Sequence, residues 1–315
     1  MIKMNSADRF LSRKWGVFNH YLIPMQNGGL ADRNPSGKVT DWNTCVEEFD
    51  TEKLAYNLHK MGAGYYTITL NQATKYMCAP NETFDKLIGA KAGEFCSFRD
   101  LPEDLYKSLS KYDIDLFLYM CSNGPWLADD LKGNDLYLGN PRTPVTDAYV
   151  EKWASIMREF AERYGDKVKG WWIDSCYKWV GFTDERLAVM HKALKSGNPD
   201  ALCAFNVGGT SWYKKGYSGE EYLCGEMNDF DKLPLSRYTD GAQSHILAPL
   251  GILPKWAGGG AWAFGGCCRS KEYMLNYIKK ANEIGVPVSV DIVVYRDGSF
   301  NSEQQELLEY VGKNL

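Results

Sequence analysis

Short apolar runs of strand length alternate with amphipathic helical runs along this chain, and that alternation restricts its fold more than any other feature. Strand-like runs lie at 15–22, 64–71, 114–122, 168–176, 201–207, 221–227, 244–251 and 286–294. Helical runs lie at 51–62, 102–112, 147–165, 184–195, 270–284 and 302–313. In 147–165, Val150, Trp153, Met157, Phe160 and Tyr164 form one apolar stripe. In 51–62, Leu54, Leu58 and Met61 do the same, and Gly62 marks the stop. Ser302 and Gln305 read as a capping box for the last helix. Strands separated by helices pair in parallel, and eight of them close most naturally into a single α/β domain, a (β/α)8 barrel of TIM type over residues 1–315. A doubly wound cofactor domain is the weaker alternative, because GGGAWAFGG (258–266) lacks the strand-turn-helix setting that phosphate-binding glycines need.

Composition narrows the ligand. The net charge is −4 and no Lys/Arg cluster is long enough to track a phosphate backbone, so nucleic acid is excluded as an expected partner. No run approaches a membrane span, and the N-terminal stretch has no apolar signal core, so the chain as given reads as cytoplasmic, or as periplasmic or secreted if a signal was removed. Nine cysteines, an odd number without a CxxC motif, fit a reducing compartment. No HExxH or HxH spacing occurs and GxSxG is absent, so neither a metal, nor a cofactor, nor a serine nucleophile is expected. Aromatic residues make up 14% of the chain, with 10 Trp and 20 Tyr, which suits a carbohydrate because flat rings stack on the apolar faces of pyranoses. Oligomeric state is left open.

In a parallel barrel the C-terminal strand ends converge on one mouth, where such enzymes carry out their chemistry. The polar residues at those ends are Asn19, His20, Tyr21, Asn71, Gln72, Ser122, Asn123, Asp174, Asn206, Glu226 and Asp291, of which His20, Asn71, Gln72, Asn206 and Asp291 are candidate sugar contacts. Asp174 follows Gly170, Trp171, Trp172 and Ile173, a run otherwise fit for burial; alone it could cap the next turn, but a second carboxylate at the same mouth permits two-carboxyl glycoside hydrolysis. Glu226 is the choice for the acid, because Cys224, Gly225 and Met227 offer little solvation and would raise its pKa; Asp229, Asp231 and Asp291 compete for the role. His20 reads equally as a core histidine or a ligand contact. Trp126, Trp172, Tyr177, Trp256 and Trp262 are candidate stacking walls.

Four stretches resemble the α-L-fucosidases of glycoside hydrolase family 29: KWGVFNHYL at the first strand, MGAGYYTITLN at the second, GWWIDS at the fourth, and VPVSVDIVVYRDGSFNSEQQELLEYVGKNL at the end. The resemblance implies a retaining exo-glycosidase acting on a terminal α-L-fucoside or a related sugar, with His20 on the sugar and Asp174 as the nucleophile of a covalent glycosyl-enzyme. It departs from the family at the second strand, where a His pair is replaced by Asn71 and Gln72, and in having no counterpart of the C-terminal β-sandwich. A sugar-binding pseudoenzyme on the same barrel is the alternative, and a lyase or transglycosidase a third reading.

Overall fold

Strand parity sorts the side chains of this protein into two cores. The computed structural model describes residues 4–27, 37–253 and 261–315. Its strands are β1 (Trp15–Asn19), β2 (Tyr65–Asn71), β3 (Asp115–Cys121), β4 (Val168–Asp174), β5 (Leu202–Phe205), β6 (Tyr238–Thr239), β7 (Ala242–Gln243), β8 (Ile246–Pro249) and β9 (Val288–Asp291). Seven of these form one sheet in the order β5-β4-β3-β2-β1-β9-β8, parallel throughout, while β6 and β7 make a separate antiparallel pair. Successive strand residues face opposite ways. Phe18, Phe117, Tyr119, Trp172, Leu202 and Leu247 turn inward into one cluster; Val17, Ile68, Leu118, Trp171, Ile173 and Val290 turn outward into the larger core beneath the helices. Because the inner cluster joins Leu202 of β5 to Leu247 of β8, the sheet is curled in the manner of a TIM barrel.

All six expected helices are present, at Thr51–Met61, Leu101–Ser110, Asp147–Tyr164, Asp184–Leu194, Lys271–Ile284 and Ser302–Asn314. The whole stripe Val150, Trp153, Met157, Phe160 and Tyr164 is buried, and Gly62 takes φ 76° at the end of its helix. The last helix is capped one residue earlier than expected: the Asn301 side chain accepts from the Gln304 amide, in place of a Ser302/Gln305 box. A short helix absent from the sequence reading, Ser6–Ser12, drives Phe10 into the floor of the inner cluster, 5.0 Å from Tyr65 and 5.2 Å from Phe117 between ring centroids.

The sixth expected strand, 221–227, is the main difference, because it forms no regular strand and leaves the closed eight-strand ladder incomplete among the described residues. Tyr222 and Glu226 make isolated bridges to Gln243 and Leu247, and only the Glu221 amide reaches β5, donating to the Cys203 carbonyl at 3.1 Å. Two side chains take the place of the missing ladder. Glu221 accepts from the Cys203 amide at 2.8 Å, and Glu220 accepts from the amides of Phe205 at 3.1 Å and Gly216 at 2.7 Å. Gly225 interrupts the extended run with φ 72°; a Cβ there would lie 2.2 Å from the His245 carbonyl oxygen. His245 pins the segment from inside: its Nδ1 faces the carbonyls of Leu223 and Cys224, both at 3.1 Å, and must carry the proton, while Nε2 accepts from Ser289 at 2.8 Å. Burial lowers His245 to about 4, so it stays neutral.

Burial also pushes the Glu220 carboxyl up to about 8. The folded protein therefore keeps a proton that the unfolded chain releases, and this group's stabilisation is full below the ordinary carboxyl pKa and lost as pH rises through about 8. Glu220→Ala is expected to leave two amides unpaired and cost about 2–4 kcal/mol. It should also flatten the decline in stability between roughly pH 5 and 8, both read from urea midpoints at unchanged m.

Candidate active site

β4 ends on Asp174 at the mouth, and the residue after it is bent to serve it. Ser175 adopts φ 64°, unusual for a non-glycine, which turns its amide back onto Asp174 Oδ1 at 2.6 Å. The Tyr119 hydroxyl donates to Asp174 Oδ2 at 2.5 Å, and Asn206 Nδ2 donates to Oδ1 at 2.8 Å. Burial and the Asp174 charge hold the Tyr119 phenol well above its usual range, so it keeps the proton it donates. Three donors thus converge on one carboxylate. Gly170, at the other end of β4, leaves room for Phe117, since a Cβ there would lie 2.0 Å from that ring.

The same Asn206 nitrogen also donates to Glu226 Oε2. Its orientation is set by Oδ1, which accepts from the Gly208 amide at 2.9 Å, so the amide group of Asn206 faces the two acids. One nitrogen bonded to both carboxylates places their nearest oxygens within about 6 Å, two hydrogen-bond lengths. Glu226 is raised to about 7, by burial first and the Asp174 charge second, with Asn206 and His20 acting the other way. A carboxyl raised to about 7 beside a second carboxyl in one pocket is suited to proton delivery next to nucleophilic attack.

The pocket between them holds about 170 Å³. His20, Gln72, Trp172 and Trp262, read in the sequence as sugar contacts, line it with the two acids; Phe18, Met25, Tyr119 and Leu247 line it as well and went unread in the sequence. Tyr119 had a usable signal, since it alternates with Phe117 and Cys121 on the inward face of β3. Trp172 stacks on Tyr119, centroids 5.2 Å apart, and donates its indole N–H to the Cys224 carbonyl at 3.0 Å. Asp291 is fully buried and anchors instead of lining: Oδ2 bonds His20 Nδ1 at 2.9 Å and Oδ1 accepts from the Ala263 amide at 2.5 Å. His20 lines the pocket with Nδ1 tied to Asp291.

Other candidates fall elsewhere. Asn71 is buried off the pocket, and neither polar atom of its side chain has a partner among the described residues. Trp126 and Tyr177 lie outside the pocket lining, against Arg142, and Trp256 lies outside the described residues. Asp229 is paired with Arg269 and lies with Asp231 along a second cleft of about 350 Å³, which Glu226 also borders together with Trp212 and Lys232. A cavity of about 370 Å³ at the opposite end of the sheet, beside Arg9 and Asp115, carries none of these groups. His191, Cys203 and Glu221 bring their ligand atoms within 4.8 Å of one another, yet the Lys195 ammonium, 2.6 Å from Glu221, already supplies positive charge there.

No family model matches the chain, and no curated protein matches it. Solved structures do. An endo-fucoidan hydrolase of glycoside hydrolase family 107 superposes with TM-score 0.72 at 13% identity, covering 98% of this chain and 54% of its own. A bacterial fucosidase bound to an iminocyclitol inhibitor gives 0.66 at 18%, covering 99% and 74%. The α-L-fucosidase AlfC from Lactobacillus casei, in complex with α-L-fucose product, gives 0.68 at 12%, covering 98% and 97%. The fold is that of the α-L-fucosidases. This chain spans about half of the family 107 enzyme and nearly all of AlfC, so the fucosidase fold extends from its first described helix to its last. No helix among the described residues is long and apolar enough to cross a membrane.

The coupling through Asn206 can be measured directly. Asp174→Asn removes the neighbouring charge and is expected to lower the Glu226 pKa below about 7, whereas Asn206→Ala removes a donor and should raise it. A carboxyl-carbon NMR titration of the two variants reads both shifts, and movement in the same direction in both would contradict this coupling.

Proposed function

We propose that this protein is a retaining exo-glycosidase that removes a terminal α-L-fucoside or a related sugar. The observation that carries the proposal is the pair of carboxyl groups sharing one Asn206 nitrogen in a pocket with aromatic walls. Nearest oxygens within about 6 Å favour the retaining spacing, about 5–5.5 Å, over the roughly 6.5–9.5 Å that leaves room for a water in inverting enzymes. The fucosidase fold supports the sugar class. A pocket of about 170 Å³ is small against the roughly 300–1,000 Å³ of drug-sized sites, which favours a single terminal ring.

Asp174 attacks the anomeric carbon while Glu226 protonates the departing oxygen; a bond to Asp174 forms as the glycosidic bond breaks. Glu226, now ionised, takes a proton from water, which attacks the same carbon and releases Asp174. Tyr119, Ser175 and Asn206 hold the nucleophile in place. Trp172 and Trp262 supply ring faces for the sugar, and His20 and Gln72 supply contacts for its hydroxyls. The cleft beside Trp212, which Glu226 also borders, is the route for the leaving group.

A panel of aryl fucosides, galactosides and arabinosides tests the activity. Asp174→Ala is expected to lower kcat by about 10³-fold or more, with azide restoring turnover as a glycosyl azide. Sugar binding with no turnover across the panel would instead make the chain a sugar-binding barrel. Because the acid must be protonated, kcat/KM should fall as pH rises through about 7. Glu226→Gln should abolish that limb and cost about 10²–10⁴-fold on poor leaving groups, with a smaller loss on activated aryl glycosides.

A further inference from the structure

The seam beside β5, where carboxylates stand in for a backbone ladder, also gathers three metal-ligating side chains. His191 comes from helix Asp184–Leu194, Cys203 from β5 and Glu221 from the segment in the place of a sixth strand, and their ligand atoms all lie within 4.8 Å of one another. Among the described residues no other such group of three occurs. Cys203 lies on the outward face of β5, in the core beneath that helix. The His191 ring is held edge-on by Phe205 and Tyr217, each 5.7 Å away between centroids. Its Nε2 is closed off from solvent and 3.3 Å from Glu221 Oε2, yet makes no hydrogen bond among the described residues. A buried ring nitrogen in that condition costs free energy that a bond to a cation recovers.

Glu221 has acceptor capacity left. A carboxylate offers about four lone-pair sites; Lys195 Nζ takes one on Oε1 at 2.6 Å and the Cys203 amide one on Oε2 at 2.8 Å. One imidazole nitrogen, one sulfur and one carboxylate oxygen suit Zn²⁺, whereas Mg²⁺ and Ca²⁺ favour oxygen alone. Ligand atoms around a tetrahedral zinc lie about 3–4 Å apart, so the three need to close by about 1 Å. Cys203 is fully buried, and burial first and the Glu221 charge second hold its thiol well above the usual range. Coordination expels that proton to solvent as the sulfur–zinc bond forms, with no change of oxidation state. One thiolate and one carboxylate then cancel the charge of the dication. Glu221 is 30% exposed, which gives the ion a way in and leaves a fourth position to water. Lys195 opposes the ion by like charge, and its ammonium keeps the Ala201 carbonyl, at 2.6 Å, when it turns from Glu221.

We propose that His191, Cys203 and Glu221 bind one Zn²⁺ ion, which staples the helix and the 220–226 segment to β5 where the backbone ladder is missing. The same strand and segment lead into Asn206 and Glu226, so the staple would stiffen the frame of the two acids. Binding there does not depend on the glycosidase reading, because none of the three ligands lines the catalytic pocket.

Zinc chloride and cobalt(II) chloride are titrated into the full chain, kept reduced with a phosphine. Calorimetry is expected to show one tight zinc site that releases one proton, read from buffers of different ionisation enthalpy, and cobalt to give a sulfur-to-metal charge-transfer band; magnesium should displace neither. His191→Ala and Cys203→Ser should each weaken zinc by about 100-fold or more, and Cys203→Ser should erase the band. Lys195→Ala should tighten zinc by about 10-fold. Zinc should slow amide hydrogen exchange in 202–206 and 220–226. Absence of the zinc heat and the cobalt band from both the wild-type chain and Lys195→Ala overturns the proposal. So does a band that survives in folded Cys203→Ser, which would place the ion at other thiols such as the exposed Cys268. Should Cys203→Ser fail to fold, His191→Ala, which alters a partly exposed side chain, decides the matter: unchanged zinc affinity there removes the site.

Discussion

Two carboxyl groups held against one amide nitrogen in a mostly buried pocket cannot both carry charge cheaply, and the arrangement of the mouth follows from that constraint. The structure separates their environments. Asp174 receives a phenol, a backbone amide and the Asn206 amide, whereas Glu226 has Asn206 and apolar surroundings. Burial and the neighbouring Asp174 charge raise the Glu226 carboxyl to about 7. Two acids of similar intrinsic strength thereby meet different environments from position alone.

Holding that asymmetry requires a rigid frame, and the frame is irregular where the second acid sits. A regular sixth strand would continue extended through residue 225. Instead Gly225 takes a positive φ and His245 ties the preceding carbonyls to β9 through Ser289. Glu220 and Glu221 meet the amides of β5 that a backbone ladder would otherwise satisfy. The sheet gives up ladder bonds beside Glu226, and buried side chains replace them.

Much of this was readable in advance because it is local. Helix ends, the stripe from Val150 to Tyr164 and the placement of Asp174 at the end of an apolar run depend on spacing along the chain. The strand assigned to 221–227 was misread because EYLCGEM has the apolar character of a strand, while the positive φ at Gly225 comes from the close approach of the His245 carbonyl, 20 residues later in the sequence. Asn71 matched a mouth position by its place in β2, yet its side chain is buried away from the pocket. Trp126 and Tyr177 were read as candidate stacking walls, yet both are half-buried outside the pocket lining, against Arg142, which carried no sequence signal.

By itself the sequence determined the α/β class of fold, the order of six helices and of the seven strands of the main sheet, and the strand end that carries Asp174, since periodicity and parity are properties of neighbouring residues. Only the tertiary structure decided that Asn206 would join Asp174 to Glu226, that Asp291 would hold His20 from behind, and that three rings from two loops would enclose one guanidinium. Those meetings depend on how far the sheet curls and where its loops come to rest, which is set by packing between residues distant in the chain and has no local pattern to announce it.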